Sequence, residues 1–545
     1  MDPSLSVAAG IGGVATHLLY FHRGEHHLYP QQYLQVLLIL SLTVVGLFKY
    51  IAEATTSEAI SISAKLTTFY VAGIYTSVVI YRLLFNPLNK YPGPLLARLT
   101  AFDHVFRVAK QKDMFLKLYN AHQKLGNFVR IGPNDLSVAN ADAVRVAFSA
   151  QTTCSKAPWY SIELPAYSMH STRSRTEHDK RRRIWSPAFS DKALRGYEQR
   201  VLKYNKSLLE RLASFNGQPV NASRWFNLWS FDVMGDLAFG RSFDMLASKS
   251  QEEEHWAIQI LNKAQDKAGL AFPPWFNRLL WHIPGIRRSY FRFLNYCAEM
   301  IEQRMAVQGK QQNPDITHYL IEYFNRRSKE NQKVEIHSLH LDSKLIIVAG
   351  SDTTAATLTY LFFHLATEKG LLARLRQEIE PLVGESGEIE HRDLQNAQLL
   401  NGCINETLRL HPPVPSGLYR KTPPEGVQIG QEYIPGNTTL QIHLYSIGRS
   451  EAHFAQADEF IPERFFSCPE LVKHKDAFSP FSMGPYGCIG KNLAYMQIRL
   501  LTAYLITRFD VNLAPGEDGQ DLLLRSADHF TTGLAGLNLC FVKRD

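Results

Sequence analysis

Cys488 sits in the run Phe481-Ser-Met-Gly-Pro-Tyr-Gly-Cys-Ile-Gly490, with glycines at 484, 487 and 490 and an amphipathic stretch over 491–501 behind it. Glycines let a backbone approach a flat partner closely, and their amides can point at a sulfur anion. The chemistry this suits is a thiolate ligand beside a planar group; the plainer alternative is a buried free cysteine in a turn. A second constellation is Ala349-Gly-Ser-Asp352-Thr353-Thr354, inside an apolar helical stretch over 345–361. Glycine weakens a buried helix, and Asp and Thr side chains compete for its backbone. Such a defect opens a groove and places an acid beside an alcohol, a pair able to pass protons; an ordinary helix N-cap is the alternative. A third is Glu406-Thr-Leu-Arg409, followed by His411-Pro-Pro-Val-Pro and, further on, Pro462-Glu-Arg464-Phe465. Glu and Arg three apart share a helix face and, taken alone, form a surface pair.

The three motifs, in their order along the chain, resemble those of the cytochrome P-450 superfamily. That resemblance implies that Cys488 is the axial ligand of a haem iron, in a loop whose further haem contacts are Phe481, Gly484 and Gly490. It implies that Asp352 and Thr353 lie on a helix crossing the distal haem face and relay protons there. It also implies a buried cluster of Glu406, Arg409 and Arg464 that supports the cysteine loop. The run His178-Asp-Lys-Arg-Arg182-Arg-Ile-Trp is similar to the family's C helix, with His178 at the usual Trp position. His178 and Arg182 are then expected to reach the haem propionates, and Arg420, fourteen residues past Glu406, to be another propionate donor. Lys180, Arg181 and Arg183 are expected on the surface where a reductase docks, with a plain solvated helix face as the alternative. One departure stands out: relatives carry Arg or His two residues before the cysteine, and this chain has Tyr486. Tyrosine can donate one hydrogen bond but brings no charge, so haem retention should lean on His178, Arg182 and Arg420.

The activity so implied is insertion of one oxygen atom of dioxygen into a lipophilic small molecule, by hydroxylation or epoxidation. The cofactor is heme b, iron protoporphyrin IX. Electrons are expected from NADPH through a separate diflavin reductase, with a cytochrome b-type donor as a second candidate. Two alternatives remain open: a haem-binding sensor, and a rearranging haem-thiolate enzyme that needs no reductase. The Asp352–Thr353 pair argues against both, since neither needs a proton relay.

Composition agrees. The 545 residues are 45% hydrophobic, ample for a large core, and the motifs span one long unit. The net charge of +8 is dispersed apart from residues 180–183, so nucleic-acid binding is excluded. The six cysteines form no CxxC pair and read as reduced thiols. A GxGxxA match over residues 10–15 lacks a βαβ context and is set aside.

Apolar stretches over 5–21, 33–48 and 66–81 are each a little shorter than the roughly 20 residues that span a bilayer. They predict a membrane anchor over 1–85 with one to three transmembrane helices. A proline-rich hinge, residues 86–94, then leads into a catalytic domain over 95–545. Arg82, Lys90 and Arg98 place that domain in the cytosol by the positive-inside tendency, at the endoplasmic reticulum membrane by resemblance. The expected fold class is mainly α with a smaller β region, with strands at 128–132 and between 413 and 446, where glycine and proline punctuate the pattern.

Pocket walls follow from the resemblance: residues 158–171, 345–349, 414–418 and 531–534, with Glu163 the one formal charge among them. The 272–276 segment, rich in aromatics and proline, should lie near the access channel and dip into lipid. Phe231-Asp-Val-Met-Gly-Asp-Leu-Ala-Phe-Gly240 and Ile489-Gly-Lys-Asn-Leu-Ala-Tyr495 resemble fungal members. A terpenoid, polyketide or alkaloid of fungal secondary metabolism is the expected substrate class.

Overall fold

The computed structural model describes residues 3–247, 256–308, 314–385 and 387–544. It divides into two compact units: residues 1–106, 129–136 and 272–287 form one, and the remainder the other.

The first unit is built on three long apolar helices, Pro3–Phe21, Pro30–Tyr50 and Thr56–Phe85, each long and apolar enough to cross a membrane. They run further than the hydropathy stretches because polar residues at the ends continue the helices. Thr55 and Glu58 start the third with reciprocal side-chain-to-backbone hydrogen bonds. The first and third helices approach closely: a Cβ on Gly13 would collide with the Tyr70 carbonyl, and one on Gly73 with that of Gly10. Polar side chains tie the same pair, Tyr70 donating to Thr16 at 3.0 Å and His17 Nδ1 lying 2.8 Å from Ser77 Oγ. Pro30–Tyr50 buries none of its residues, and Leu38, Ile39, Leu40 and Leu42 are exposed. An apolar surface of that kind is stable against lipid, not water. In the same unit Phe102 packs edge-on against Trp275 and Phe276, making an aromatic cluster with the short helix Pro274–Leu280.

In the second unit the helix Lys329–Thr367 forms the axis. Ser328 caps its start by accepting from the Asn331 amide. Its middle is buried nearly all round, with Ala222–Phe239, Arg288–Ala306, Gln398–Leu410 and Lys491–Arg508 among its neighbours. Gly350 leaves room there for the flexible end of the Met234 side chain, which a Cβ would approach to 2.5 Å. Strands are short. Ser155–Lys156 and Thr439–Ile442 flank Tyr419–Lys421, all antiparallel, and Phe509–Leu513 pairs with Asn538–Lys543. The hairpins Val427–Ile429/Glu432–Ile434 and Ala527–His529/Thr531–Gly533 are two further antiparallel pairs. The architecture is mainly α with a smaller β part.

Candidate active site

The cysteine loop is a short 3₁₀ turn, Gly484–Tyr486, leading into the helix Lys491–Arg508. Gly484 is at φ +63° and packs so tightly on the Phe148 and Ser149 backbone that no side chain fits. The Cys488 amide donates to the Phe481 carbonyl at 2.8 Å, and the Phe481 ring packs on Tyr495, centroids 5.2 Å apart. Gly490 starts the helix and leaves ordinary contact distance, 3.9 Å, between its Cβ direction and Cys488 Sγ. All six cysteines are free. Cys154, Cys297 and Cys403 are buried, Cys468 and Cys540 half-buried, and Cys488 alone has an exposed side chain. The protein mass around it still desolvates the thiol and pushes its pKa up. The Gly490 and Lys491 amides and the Arg182 guanidinium act in the opposite sense, favouring a thiolate.

Beside this loop lies a group of basic side chains. His178, Arg181 and Trp185 form the buried face of the helix Arg175–Trp185. His178 packs edge-on against Tyr486 at 4.6 Å, with its Nδ1 3.0 Å from Asp179. Burial lowers its pKa to about 4. Arg182 reaches the loop as well, donating to the Gly487 carbonyl at 2.6 Å. Arg420 is buried, stacked over the rings of Phe148 and Tyr486, and its Nε has no hydrogen-bond partner. Lys156, which the motifs did not single out, also approaches Tyr486, its Nζ 4.9 Å from the ring centroid.

Arg181 corrects a sequence expectation. It does not face solvent: its guanidinium pairs with Asp342 and, at 2.6 Å, with Glu335, and it is buried. Lys180 is half-buried and 3.5 Å from Glu177, and Arg183 is exposed. A signal existed: His178, Arg181 and Trp185 follow the i, i+3, i+7 spacing of a core-facing stripe.

On the central helix Asp352 and Thr353 diverge. Thr353 Oγ1 donates to the Ala349 carbonyl at 2.8 Å, whereas the buried Asp352 carboxylate receives Gln265 Nε2 at 2.5 Å and Thr531 Oγ1 at 3.5 Å. Burial raises the Asp352 pKa to about 6, against the pull of those two donors. Leu345, Ala349 and Thr353 follow each other at four-residue steps and are open or half-open on an otherwise buried helix, defining one groove-facing stripe. Segment 158–171 is anchored to this helix by the Met169 amide on Asp342, 2.9 Å. Trp159 stacks on Phe530, centroids 4.9 Å apart and planes at 15°. Glu163 is not a lone charge: Lys344 pairs with it, and Tyr290 donates to it at 3.3 Å.

Glu406, Arg409 and Arg464 meet with no exposure at all. Arg409 grips both Glu406 oxygens at 2.7 Å, Arg464 adds a third contact at 2.9 Å, and the Ile461 amide a fourth. The two guanidiniums also bind the carbonyls of Ala455, Gln456, Ala457 and Glu459, clamping the chain that leads towards the cysteine loop.

An iron porphyrin bearing two carboxylates fits this donor set. One thiol is open among six, a buried guanidinium nitrogen lacks a partner, and the cations around Tyr486 outnumber the acids. The fold and site define a haem-thiolate protein. The profile of the cytochrome P-450 family matches residues 92–541, and the chain belongs to that family. It is 43% identical to the cytochrome P-450 monooxygenase lcsK of Purpureocillium lilacinum, over all of this chain and 99% of the relative. It is 42% identical to the monooxygenase notG' of Aspergillus versicolor, over 99% and 98%. Against tryprostatin B 6-hydroxylase of Aspergillus fumigatus identity is 40%, over 98% and 96%. The protein is an oxygen-incorporating oxidoreductase that uses heme b and electrons from NADPH through a separate reductase, and acts on small molecules.

When bound, the haem supplies iron-centred reductive activation of dioxygen. The chain's own residues do the rest. Cys488 would offer the sulfur, with the amides of Gly490 and Lys491 placed to stabilise negative charge on it, and Asp352 can hold or release a proton near neutral pH.

Proposed function

We propose that this enzyme hydroxylates a lipophilic fungal secondary metabolite at the endoplasmic reticulum membrane, with its catalytic unit in the cytosol and a diflavin reductase as electron donor. The observation that carries the reading is the Leu345–Ala349–Thr353 stripe beside the titratable Asp352 on the central helix. A sensor or a rearranging enzyme has no use for an acid poised near neutral pH next to an open groove.

The substrate class follows from the walls. Leu345, Val348 and Ala349 are apolar, Trp159 and Phe530 make an aromatic shelf, and Glu163 is neutralised by Lys344. An uncharged, largely apolar scaffold with a hydrogen-bonding group for the Lys344–Glu163–Tyr290 cluster suits such a pocket. The name of the A. fumigatus relative supports hydroxylation over epoxidation. Arg183 and half-buried Lys180 are the cations of the basic run available to a reductase.

The test is a substrate-binding difference-spectrum screen of the membrane-bound enzyme against metabolites of the producing fungus. Hits are then turned over with NADPH and diflavin reductase, and product formed per NADPH is measured. A ligand that shifts the spectrum yet gives no oxygenated product would defeat the reading. Removal of residues 1–85 should free the protein from membranes with its haem spectrum intact.

A further inference from the structure

His170 lies at the end of the 158–171 segment, and the backbone on either side of it is fixed. The Met169 amide is held by Asp342 at 2.9 Å. Lys156 Nζ takes the Met169 and His170 carbonyls at 3.1 and 2.6 Å, and the Ser171 amide donates to Ser168 Oγ at 3.2 Å. The imidazole packs edge-on against Tyr160 and Phe530, with centroids 5.1 and 5.3 Å away. Among the described residues neither of its ring nitrogens has a hydrogen-bond partner. Other imidazoles of this unit do have one: His122 meets Ser137, His443 meets Ser446 and His364 meets His411. A polar ring held this firmly and left unpartnered calls for a partner from outside the chain.

Its surroundings define the kind of partner. Burial, with the charge of Lys156 next in weight, lowers the His170 pKa to about 3, so the ring is neutral and carries no proton near neutral pH. Glu163 and Lys344, both close enough to act on it, neutralise each other. The ring is half-buried, and so is Lys344, which begins the open face that runs through Leu345, Val348 and Ala349 to Thr353. The open part of the imidazole therefore borders the groove of the central helix.

Phe530, one of the walls around it, is strained. It is the one aromatic residue at positive φ, +81°, among the described residues. A bulky side chain rarely adopts that conformation and keeps it only where its surroundings impose it. Here they do: Asp528 receives the Phe530 amide at 3.1 Å, and the ring stacks on Trp159. The next residue, Thr531, reaches Asp352, so this turn stands beside the acid of the central helix.

We propose that His170 is a specificity-determining residue that hydrogen-bonds an uncharged hydroxyl, N–H or carbonyl group of an aromatic substrate lying along the Trp159–Phe530 shelf. A neutral imidazole offers one donor and one acceptor, so it takes any of these groups and gives no advantage to a charged one. This rests on the haem-thiolate reading and on the groove as the substrate's place.

The test titrates the loaded, full-length enzyme with 2-naphthol, naphthalene and 2-decalol, following the shift of the Soret band. The wild type should bind 2-naphthol roughly tenfold more tightly than naphthalene, as one hydrogen bond to an otherwise unpartnered group allows. It should also prefer 2-naphthol to 2-decalol, which carries the hydroxyl on a saturated frame that cannot lie flat on an aromatic shelf. His170→Phe keeps a ring of similar shape. It should bring 2-naphthol down to the affinity of naphthalene and leave naphthalene within about twofold of its wild-type affinity. Equal binding of 2-naphthol and naphthalene in the wild type, as expected if water alone serves the ring, overturns the proposal. An unchanged preference in His170→Phe also overturns it, and equal binding of 2-decalol and 2-naphthol overturns the aromatic assignment. If His170→Phe does not hold haem, His170→Met takes its place. Loss of haem from both refutes the proposal, since a residue reserved for substrate is dispensable for loading. Failure of the underlying readings looks different. A protein that is not haem-thiolate would show no red-shifted Soret band with carbon monoxide. One that is no oxygenase would keep the 2-naphthol preference yet oxygenate none of its spectral ligands.

Discussion

Gln265 donates its side-chain amide to Asp352 at 2.5 Å, joining the helix Trp256–Ala268 to the acid of the central helix. The hydrogen bond favours the carboxylate, while burial favours the carboxylic acid and prevails, leaving the pKa at about 6. Gln265 therefore tunes the acid from an element otherwise separate from the motif.

The pH dependence follows. Because the folded-state pKa of Asp352 lies above that of an ordinary aspartate, this group favours folding below about pH 4. The contribution is lost as pH rises towards 6. Product formation should show an inflection near pH 6. Asp352→Asn should remove that inflection and slow turnover on the order of 10²-fold. Gln265→Leu should move the inflection upward, since a donor to the charged form is gone. A rate profile between pH 5 and 8 for the three proteins checks this.

Thr353→Ala removes the hydroxyl that donates to Ala349 and leaves a good helix former, so fold and haem content should survive. Less product and more peroxide should form per NADPH, whereas Thr353→Ser should stay close to wild type. Coupling measured with reductase supplied decides it. Unchanged coupling in both Thr353→Ala and Asp352→Asn would favour a sensor or a rearranging enzyme.

Cys488→Ser should abolish the red-shifted Soret band of the reduced carbon-monoxide complex. Cys403→Ala should leave the band in place and cost only about 1–2 kcal/mol of stability, as a buried apolar truncation. Spectra and thermal melts of the two variants separate ligand from core residue.

Arg181 and Arg183 should behave oppositely despite lying two residues apart. Arg181→Ala strands the buried Asp342 and should destabilise the fold by about 3–5 kcal/mol, with little dependence on salt. Arg183→Ala should leave stability nearly unchanged and slow reduction by the reductase more at low than at high ionic strength. Melts and stopped-flow reduction at two salt concentrations test both.

Local constraints made much of this protein readable from its residues. A loop of Gly484, Gly487 and Gly490 around one cysteine, an Asp-Thr pair within an apolar helix, and Glu406 three residues from Arg409 each carry their chemistry within a few positions. So do the apolar runs of the N-terminal helices, since hydropathy is a property of the segment itself. What only the tertiary structure decided depends on residues far apart in the chain. Lys156 stands between Ser155 and Ala157 with nothing to mark it; the strand register sets it against Arg420. Gln265 is one polar residue in an amphipathic helix until packing brings it to Asp352. The spacing of Arg181 with His178 and Trp185 marks it as inward-facing, but only packing shows that its partner is Asp342. Burial, charge compensation and pKa are set by what surrounds a side chain in space, and long-range packing supplies those surroundings.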